Sequence, residues 1–212
     1  MGTSRLNSAY PPRIYLGTSP VSRCFLGNEL VWLTALVGGT QTFTTVGAFA
    51  FDIPNGARYI DYVLLGAGGG GGNGSLFLPG NGGAAGQWLV GTLERGVDLP
   101  WSVTQLLGSV GAPGAAGSGG GATNGGNGGA TILSSLSAPG GSGGAGWGNG
   151  TRNGASPSPV TQNYNGFPYT AGTGGSGAGG VGAGGASQQG TAFGNRDGFV
   201  GGRGQAWLRA FA

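Results

Sequence analysis

Apolar residues along the chain gather in short clusters rich in β-branched and aromatic side chains, and glycine tracts separate these clusters. Such clusters predict β-strands, and no stretch has the sustained periodicity of an amphipathic helix. The predicted strands are residues 40–51, 59–65, 87–93, 101–107, 131–136 and 205–211. The pattern favours an all-β fold, a small antiparallel β sandwich or barrel with long ordered glycine-rich loops.

The predicted strand at residues 87–93 is apolar on both faces. Trp88 and Val90 share one face, whereas Leu89 and Leu93 share the other, because successive side chains of a strand point to opposite faces. A strand that exposed one face to water would alternate apolar and polar residues. We therefore expect other parts of the chain to cover both faces of this strand.

Glycine divides the chain near Gly66. Of the 55 glycines in 212 residues, 48 follow residue 65, yet their spacing is irregular, which excludes a collagen triple helix. Hydrophobic residues make up 38% of the chain and charged residues only 7%, the opposite of the composition of disordered proteins. We expect an ordered scaffold, built either of extended polyglycine helices joined by Cα–H···O contacts or of irregular loops.

The first 36 residues have a different character. The segments IYLGTSP and CFLGNEL contain Tyr-Leu-Gly and Phe-Leu-Gly, two copies of one unit at a ten-residue spacing. This repeat predicts a β-hairpin, and residues 1–13 precede it as an extended arm. The arm is either an assembly tether or an ordinary frayed terminus. We divide the chain into residues 1–36, the arm and hairpin, and residues 40–212, the glycine-rich β domain.

Several classes of chemistry are excluded by composition. The chain has no Lys and no His, nine Arg and six acidic residues, with a net charge of +3. A Lys-based phosphate loop, a Schiff base and a histidine metal site are therefore impossible, and Cys24, the single cysteine, has no partner for an internal disulfide. Apolar runs are too short to span a bilayer. We expect no cofactor, no metal, no nucleic-acid partner and no membrane insertion.

Glu94 and Asp98 form the closest acidic pair in the sequence. Glycosidases use paired carboxylates as acid, base or nucleophile. Here, however, the two residues bracket a Gly-containing turn between predicted strands, and Arg95 can neutralise either carboxylate. We therefore predict no catalytic residues and no enzyme activity.

Several segments resemble, in the same order, the glycine-rich domain of mycobacteriophage minor tail proteins. They are FAFDIPNGARYIDYVLLGAGGGGG, GGATILSSLSAPGGSGG, YNGFPYTAGTGG and the closing GRGQAWLRAF, and the resemblance covers about residues 40–212. It implies a virion component at the tail tip or a tail fibre, with a role in host attachment and with other phage tail proteins as partners. A purely structural tail component without receptor contact and a mycobacterial glycine-rich surface protein are the alternatives.

The change in composition and the separate N-terminal repeat suggest how the protein is assembled into a tail. Residues 1–36 are expected to attach the protein to the tail, while residues 40–212 fold without them. By analogy with three-fold tail tips, and because glycine-lined backbones can approach an axis closely, we expect a homotrimer.

Residues 146–169 are the segment most suited to a ligand. Aromatic rings there can stack on the sugar rings of a host cell-envelope glycan or glycolipid, while neighbouring polar groups supply hydrogen bonds. The predicted binding residues are Trp147, Asn149, Arg152, Asn153, Tyr164, Phe167 and Tyr169. The alternative, which Asn165-Gly166 turn chemistry favours for Tyr164 and Tyr169, is that the aromatics hold the glycine tracts together.

Overall fold

The computed structural model describes residues 38–192 and 194–212 in full and, between residues 14 and 33, the backbone of four strands. The described residues form an all-β structure, as the sequence predicts. The strands are β1 (Ile14–Leu16), β2 (Ser19–Val21), β3 (Arg23–Leu26), β4 (Glu29–Leu33), β5 (Gln41–Phe43), β6 (Gly47–Asp52), β7 (Tyr59–Leu65), β8 (Trp88–Glu94), β9 (Gln105–Val110), β10 (Thr131–Leu133), β11 (Leu136–Ala138), β12 (Thr161–Tyr164), β13 (Phe167–Thr170) and β14 (Gln205–Phe211).

Two antiparallel four-stranded sheets form a sandwich. One has the order β5-β14-β7-β8 and the other the order β11-β10-β9-β6, and neither closes into a barrel. Their facing sides share one core, to which the first sheet contributes Ile60, Leu64 and Leu208 and the second contributes Leu106 and Leu133, all at most 2% exposed. Of the two predicted architectures, the sandwich is the one observed.

The first sheet is covered on its outer face as well. Val63, Leu65 and Trp207 point away from the inter-sheet core and pack with Tyr169 in a second apolar cluster, which we call the outer cluster. Along β8, leucines pack towards the inter-sheet core, whereas Trp88 and the neighbouring valine pack against the outer cluster. The prediction that both faces of this strand are covered is confirmed.

Some predicted strands are divided or displaced in the structure. β7 and β14 match the predicted ranges, but the range 40–51 splits into β5 and β6, which belong to different sheets. The range 131–136 splits at a turn where Ser134 has a φ of +52°. β-Branched, aromatic or aliphatic residues lie on both sides of each split, so the pattern did not reveal that the chain changes direction there.

The sequence prediction missed the hairpin of β12 and β13. Its turn residues Asn165 and Gly166 have φ of +45° and +80°, as a two-residue type I′ turn requires. The flanking segments TQNY and FPYT are polar or contain proline, so they lack the apolar alternation by which strands are recognised.

The N-terminal repeat forms two hairpins rather than one. β1 pairs with β2 and β3 pairs with β4, so each copy of the repeat folds back on itself. Only two residues join the strands of each pair, which is the commonest length for a hairpin connection. The predicted extended arm, residues 1–13, lies outside the described residues.

The glycine tracts form a bundle around residues 66–74, which we call the central helix. Successive N–H groups of the central helix donate in turn to carbonyl oxygens of three neighbouring segments, residues 81–87, 123–129 and 196–202, with N···O distances of 2.8–3.1 Å. Each neighbour is contacted at every third residue. A repeat of three residues per turn without internal hydrogen bonds is that of a polyproline II-type helix, here made mostly of glycine.

Three further segments complete a hexagon around the central helix. Residues 111–117, 139–147 and 182–188 donate N–H groups to its carbonyl oxygens, and they run parallel to it, whereas the first three neighbours run antiparallel. Adjacent outer segments are also hydrogen-bonded to one another, so the ring is closed. The tracts are therefore ordered polyglycine helices, joined by backbone N–H···O hydrogen bonds.

Close packing explains the choice of glycine in this bundle. A Cβ on Gly70 would overlap the carbonyl group of Ala115, and one on Gly143 would overlap that of Gly125. The same holds at most positions of the central helix. Side chains would force the helices apart and break their hydrogen bonds, so the bundle demands glycine wherever one backbone faces another.

Candidate functional site

The polyglycine bundle ends in four loops that lie together, and we call them the distal tip. They are residues 75–80, 118–122 and 148–150 and a fourth loop of which residues 189–192 and 194–195 are described, and each loop follows a segment that runs outward from the sandwich. The nine residues of the central helix place the tip about 28 Å from the sandwich, at about 3.1 Å per residue. The bundle therefore works as a rigid stalk within one chain.

Asn73, near the outer end of the central helix, fixes the loop at residues 118–122. Its side chain is fully buried; Nδ2 donates to Gly119 O (2.9 Å) and Gly121 O (2.6 Å), and Oδ1 accepts from Thr123 N (2.9 Å). Both amide hydrogens and the carbonyl oxygen are thus used. The glycine-rich loop has no large apolar side chains with which to pack, so the hydrogen bonds of this one buried amide hold it in place.

The other loops are hydrogen-bonded to one another across the tip. Gln189 Nε2 donates to Leu76 O at 3.0 Å, and Asn195 Nδ2 donates to Gly119 O at 3.2 Å. Gly150 N bonds the side chain of Asn81 at 2.8 Å. The four loops therefore present one composite surface rather than four independent flexible ends.

An exposed apolar loop dominates this surface. Phe77 is 84% exposed, and its neighbours Leu76 and Leu78 are 41% and 37% exposed. The exposure of three consecutive large apolar side chains to water is energetically unfavourable, and exposed apolar patches of this kind mark interaction sites. The sequence analysis missed them, although an apolar triplet between Ser, Pro and glycine tracts was a usable signal.

Four of the seven predicted binding residues lie at or beside the distal tip. The backbone N–H of Trp147 bonds Asn73 O at 3.0 Å, with a φ of +49°, and Asn149, Arg152 and Asn153 are exposed nearby. The indole Nε1 of Trp147 is buried, with no acceptor among the described residues. These residues could contact a ligand together with the apolar loop.

The other three predicted residues lie on the hairpin of β12 and β13, at the sandwich end. Tyr169 is 4% exposed and packs edge-on against Trp207, with ring centroids 5.7 Å apart, while Tyr164 Oη lies 2.9 Å from Thr92 Oγ1. Phe167 is 41% exposed. The seven residues therefore do not form one stacking platform, and Tyr164 and Tyr169 hold the hairpin to the sandwich.

A buried carboxylate anchors this hairpin. Asp61 is 1% exposed and accepts hydrogen bonds from Thr92 Oγ1 (2.6 Å), Asn165 Nδ2 (2.9 Å) and Arg209 Nη2 (2.8 Å). The Arg209 guanidinium also lies over the ring of Phe167, 4.1 Å from its centroid. The hydrogen bonds of Asp61 hold the hairpin on the sandwich, and Arg209, which Asp61 binds, holds the exposed ring of Phe167 in place.

Burial raises the pKa of two tyrosines in the sandwich. Desolvation is the main cause for both Tyr62 and Tyr169, since each phenolate would lie in an apolar cluster. For Tyr169 the charge of Arg209 and a hydrogen bond with Thr40 oppose the effect. Neither hydroxyl is activated towards proton transfer at neutral pH.

The acidic pair considered for catalysis serves a turn. Glu94 forms an ion pair with Arg58 at 2.8 Å, and the Asp98 carboxylate accepts from Glu94 N at 2.8 Å. Arg95 lies over the Trp101 ring, 4.8 Å from its centroid, and donates to the backbone carbonyls of Trp101 and Val103. The two carboxylates thus have structural partners.

The described residues form neither a metal cluster nor a membrane-spanning helix. Residues 38–192 and 194–212 contain no group of three or more His, Cys, Asp or Glu side chains that could hold a metal ion. In the same part of the chain, no helix is long and apolar enough to cross a bilayer.

Comparison with known proteins identifies the class. Residues 44–211, most of the chain, match the glycine-rich domain family, and the chain belongs to that family. It is similar to two proteins of mycobacteriophages, which agrees with the phage origin suggested by the sequence. The Gene 32 protein of Mycobacterium phage D29 is 44% identical over 96 residues, which are 45% of this chain and 43% of that protein.

The second relative is the Gene 32 protein of Mycobacterium phage L5. It is 43% identical over 102 residues, which are 47% of this chain and 46% of that protein. The matches span less than half of the length of these relatives. The comparisons therefore indicate a phage-related function.

Proposed function

We propose that this protein is a phage minor tail protein at the tail tip or on a tail fibre, where it contributes to attachment to the host cell surface. The mycobacteriophage relatives support the phage origin and favour it over a mycobacterial glycine-rich surface protein. The order of the glycine-rich segments resembles that in minor tail proteins, and this resemblance supports a location in the tail. The protein acts by binding, without turnover.

One observation carries the attachment role: a rigid stalk holds four connected loops about 28 Å from the sandwich at about 3.1 Å per residue. Binding residues are disproportionately found on loops that a rigid scaffold positions. Because the loops are hydrogen-bonded to each other, little conformational entropy has to be lost when a ligand binds. A purely structural component would gain nothing from exposing Phe77 at the distal tip.

The chemistry of the tip suits a glycan or glycolipid. Phe77 and its leucine neighbours offer apolar surface, while asparagine and glutamine amides beside them offer donors and acceptors. Sugar rings combine an apolar face with a rim of hydroxyl groups, and such sites pair aromatic rings with a few polar groups. Trp147, Asn149, Arg152 and Asn153 remain in this proposal, whereas Tyr164 and Tyr169 are better explained by packing.

The test is competition for adsorption. Purified protein is added to mycobacterial cells before phage that carries it, and the free phage is counted. Wild-type protein should reduce adsorption, and Phe77→Ser should compete at least about tenfold less well if the ring is an interface anchor. Val97→Ser is the matched control, because Val97 is 76% exposed in the turn at the opposite end of the sandwich.

The outcomes separate attachment from a structural role. All variants should melt at the same temperature, since both altered side chains are exposed. If the wild-type protein neither binds cells nor reduces adsorption, the purely structural tail component is the better description. If Phe77→Ser and Val97→Ser compete equally well, the binding surface is not at the apolar loop.

We also propose that residues 1–36 attach the protein to the tail and that it is a homotrimer in the particle. Deletion of residues 1–36 should leave a folded domain that fails to enter virions, and normal incorporation would contradict the assignment. The close backbone contacts of the glycines are made within one chain, so they no longer favour a three-fold axis. The mass of the native protein, free and in the particle, tests the trimer directly.

A further inference from the structure

A cavity opens on the side of the bundle just below the distal tip. It has a volume of about 290 Å³, and Arg152 and Arg196 line it together with Asn153, Ser187 and Phe199. It draws residues from four separate stretches of the chain, which the bundle brings together. Its volume is at the lower end of ligand sites, about 300–1,000 Å³, and suits one small ring or anionic group.

The two arginines are held in place without being neutralised. Arg152 Nη1 donates to Gln189 Oε1 at 3.2 Å, and Arg196 Nη1 donates to Gln188 Oε1 at 3.5 Å. Gln188 and Gln189 are consecutive in the chain, so both guanidinium groups are hydrogen-bonded to side chains of the same backbone segment. An amide oxygen orients a guanidinium but carries no charge to cancel it.

The lining of the cavity contains no carboxylate among the described residues. Asp197, which follows Arg196 in sequence, instead accepts a hydrogen bond from Gly119 N at 3.3 Å in the neighbouring loop. In the described part of the chain, neither Arg152 nor Arg196 forms an ion pair. Two positive charges in one cavity repel each other, and an anionic ligand between them would remove that repulsion.

The remaining wall is suited to a sugar. Phe199 supplies an apolar ring, while Asn153 and Ser187 supply polar groups, so the cavity offers an apolar surface beside hydrogen-bonding positions. The planar guanidinium groups match the oxygen geometry of a carboxylate or a phosphate. We propose that this cavity binds an anionic sugar, through a carboxylate or phosphate group held between Arg152 and Arg196.

This inference rests on the proposed attachment function for its biological meaning, and it deepens that function by naming the charge of the recognised glycan. It also differs from the prediction made from sequence, in which Arg152 supplies hydrogen bonds beside stacked sugar rings rather than a charge that holds an anion. Arg196 and Phe199 were not among the predicted residues. Only the folded bundle places Arg196 beside Arg152.

The test is a calorimetric titration of the purified full chain with three probes of similar size. D-glucuronate carries a carboxylate, glucose 6-phosphate carries a phosphate, and D-glucose is uncharged. At least one anionic probe should bind, more weakly as salt is added, and glucose should bind at least about tenfold less tightly than that probe. The two anionic probes distinguish a uronic acid from a phosphorylated sugar.

Three variants locate the site. Arg152→Gln and Arg196→Gln each remove a charge but keep a polar side chain, and each should weaken binding of the anionic probe by about tenfold or more. Arg203→Gln is the matched control, because Arg203 is also held by a glutamine, Gln205 Oε1 at 3.0 Å, but lies at the sandwich end of the bundle. The control should bind like the wild type, and all three should keep its melting temperature.

Several results would overturn the inference. These are no binding of either anionic probe, equal binding of glucose, or unchanged affinity in both cavity variants. The adsorption assay is independent of these results. If the wild-type protein reduces adsorption but the probes do not bind, the cavity proposal fails alone; if the probes bind as described but the protein does not reduce adsorption, the attachment proposal fails and the anion site stands.

Discussion

Substitution of Gly70 by alanine tests whether the polyglycine bundle is a packed structure rather than a flexible linker. Gly70 lies in the middle of the central helix, and an added Cβ would overlap the carbonyl group of Ala115 in segment 111–117. Because carbon atoms need about 3.5 Å from their neighbours, that segment must move by on the order of 1 Å. No flexible side chain can move aside instead, since the obstacle is backbone.

The magnitude follows from the hydrogen bonds that this movement breaks. Segment 111–117 is joined to the central helix by two N–H···O bonds of 2.9 and 2.8 Å, which end on the carbonyl oxygens of Gly68 and Gly71, on either side of Gly70. A buried polar group without its partner costs about 1–3 kcal/mol, so two broken bonds lower the free energy of unfolding by about 4 kcal/mol. At about 2–4 °C per kcal/mol, the melting temperature should fall by roughly 10 °C.

The assay is thermal unfolding of the wild type, Gly70→Ala and Gly120→Ala under identical conditions. Gly120 is the matched control, because it is exposed in loop 118–122 and a Cβ there would meet no heavy atom within 4 Å. Its substitution should change the free energy of unfolding by no more than about 0.5 kcal/mol. Equal melting temperatures of Gly70→Ala and the wild type would refute the packed bundle.

Two further predictions concern the sandwich. Asp61→Ala leaves Arg209 without its buried partner, so it should lower the free energy of unfolding by about 3–5 kcal/mol and speed hydrogen exchange in β12 and β13. Glu94→Ala, at the exposed ion pair with Arg58, is the control and should cost about 0–1 kcal/mol. Similar losses for the two variants in denaturant unfolding would contradict the anchoring role of Asp61. Because burial raises the pKa of Tyr62 and Tyr169 above 10.0, the folded state holds these protons more tightly than the unfolded state. The contribution of these two groups to stability should therefore be constant below pH 10 and be lost as the pH rises above it. Replacement of both by Phe should flatten that alkaline decline, and a melting temperature with the same pH dependence would show that other groups cause it.

Much of the fold follows from local sequence patterns. β7 and β14 are seven-residue strands in which most side chains are apolar, with Asp61 in the first and Gln205 and Arg209 in the second, and their predicted limits match the structure. Composition reports directly on such buried strands, because apolar β-branched and aromatic residues dominate them. The hairpin of β12 and β13 has no such signal, since its stability comes from Asp61, a residue about 100 positions away.

The candidate site was predictable only in part. The sequence pointed to Trp147, Asn149, Arg152 and Asn153 because charged and aromatic residues are rare between Val110 and Asn195, and these four lie at or beside the distal tip. It also grouped Tyr164, Phe167 and Tyr169 with them, although a polyglycine stalk separates the two sets. Nearness in sequence is a poor guide here because each outward segment carries the chain about 28 Å away from the sandwich at about 3.1 Å per residue.

Composition and pattern alone determined that the chain is all-β, that its glycine-rich part is ordered, and that Lys and His chemistry is absent. These are properties of single residues and of neighbours along the chain. Only the tertiary structure decided that the glycine tracts form a hexagonal bundle, that Phe77 is at its exposed end, and that Arg152 and Arg196 share a cavity. The reason is physical: a glycine tract has no side chains to specify its neighbours, so its partners are set by which backbone segments the strands of the sandwich send outward side by side.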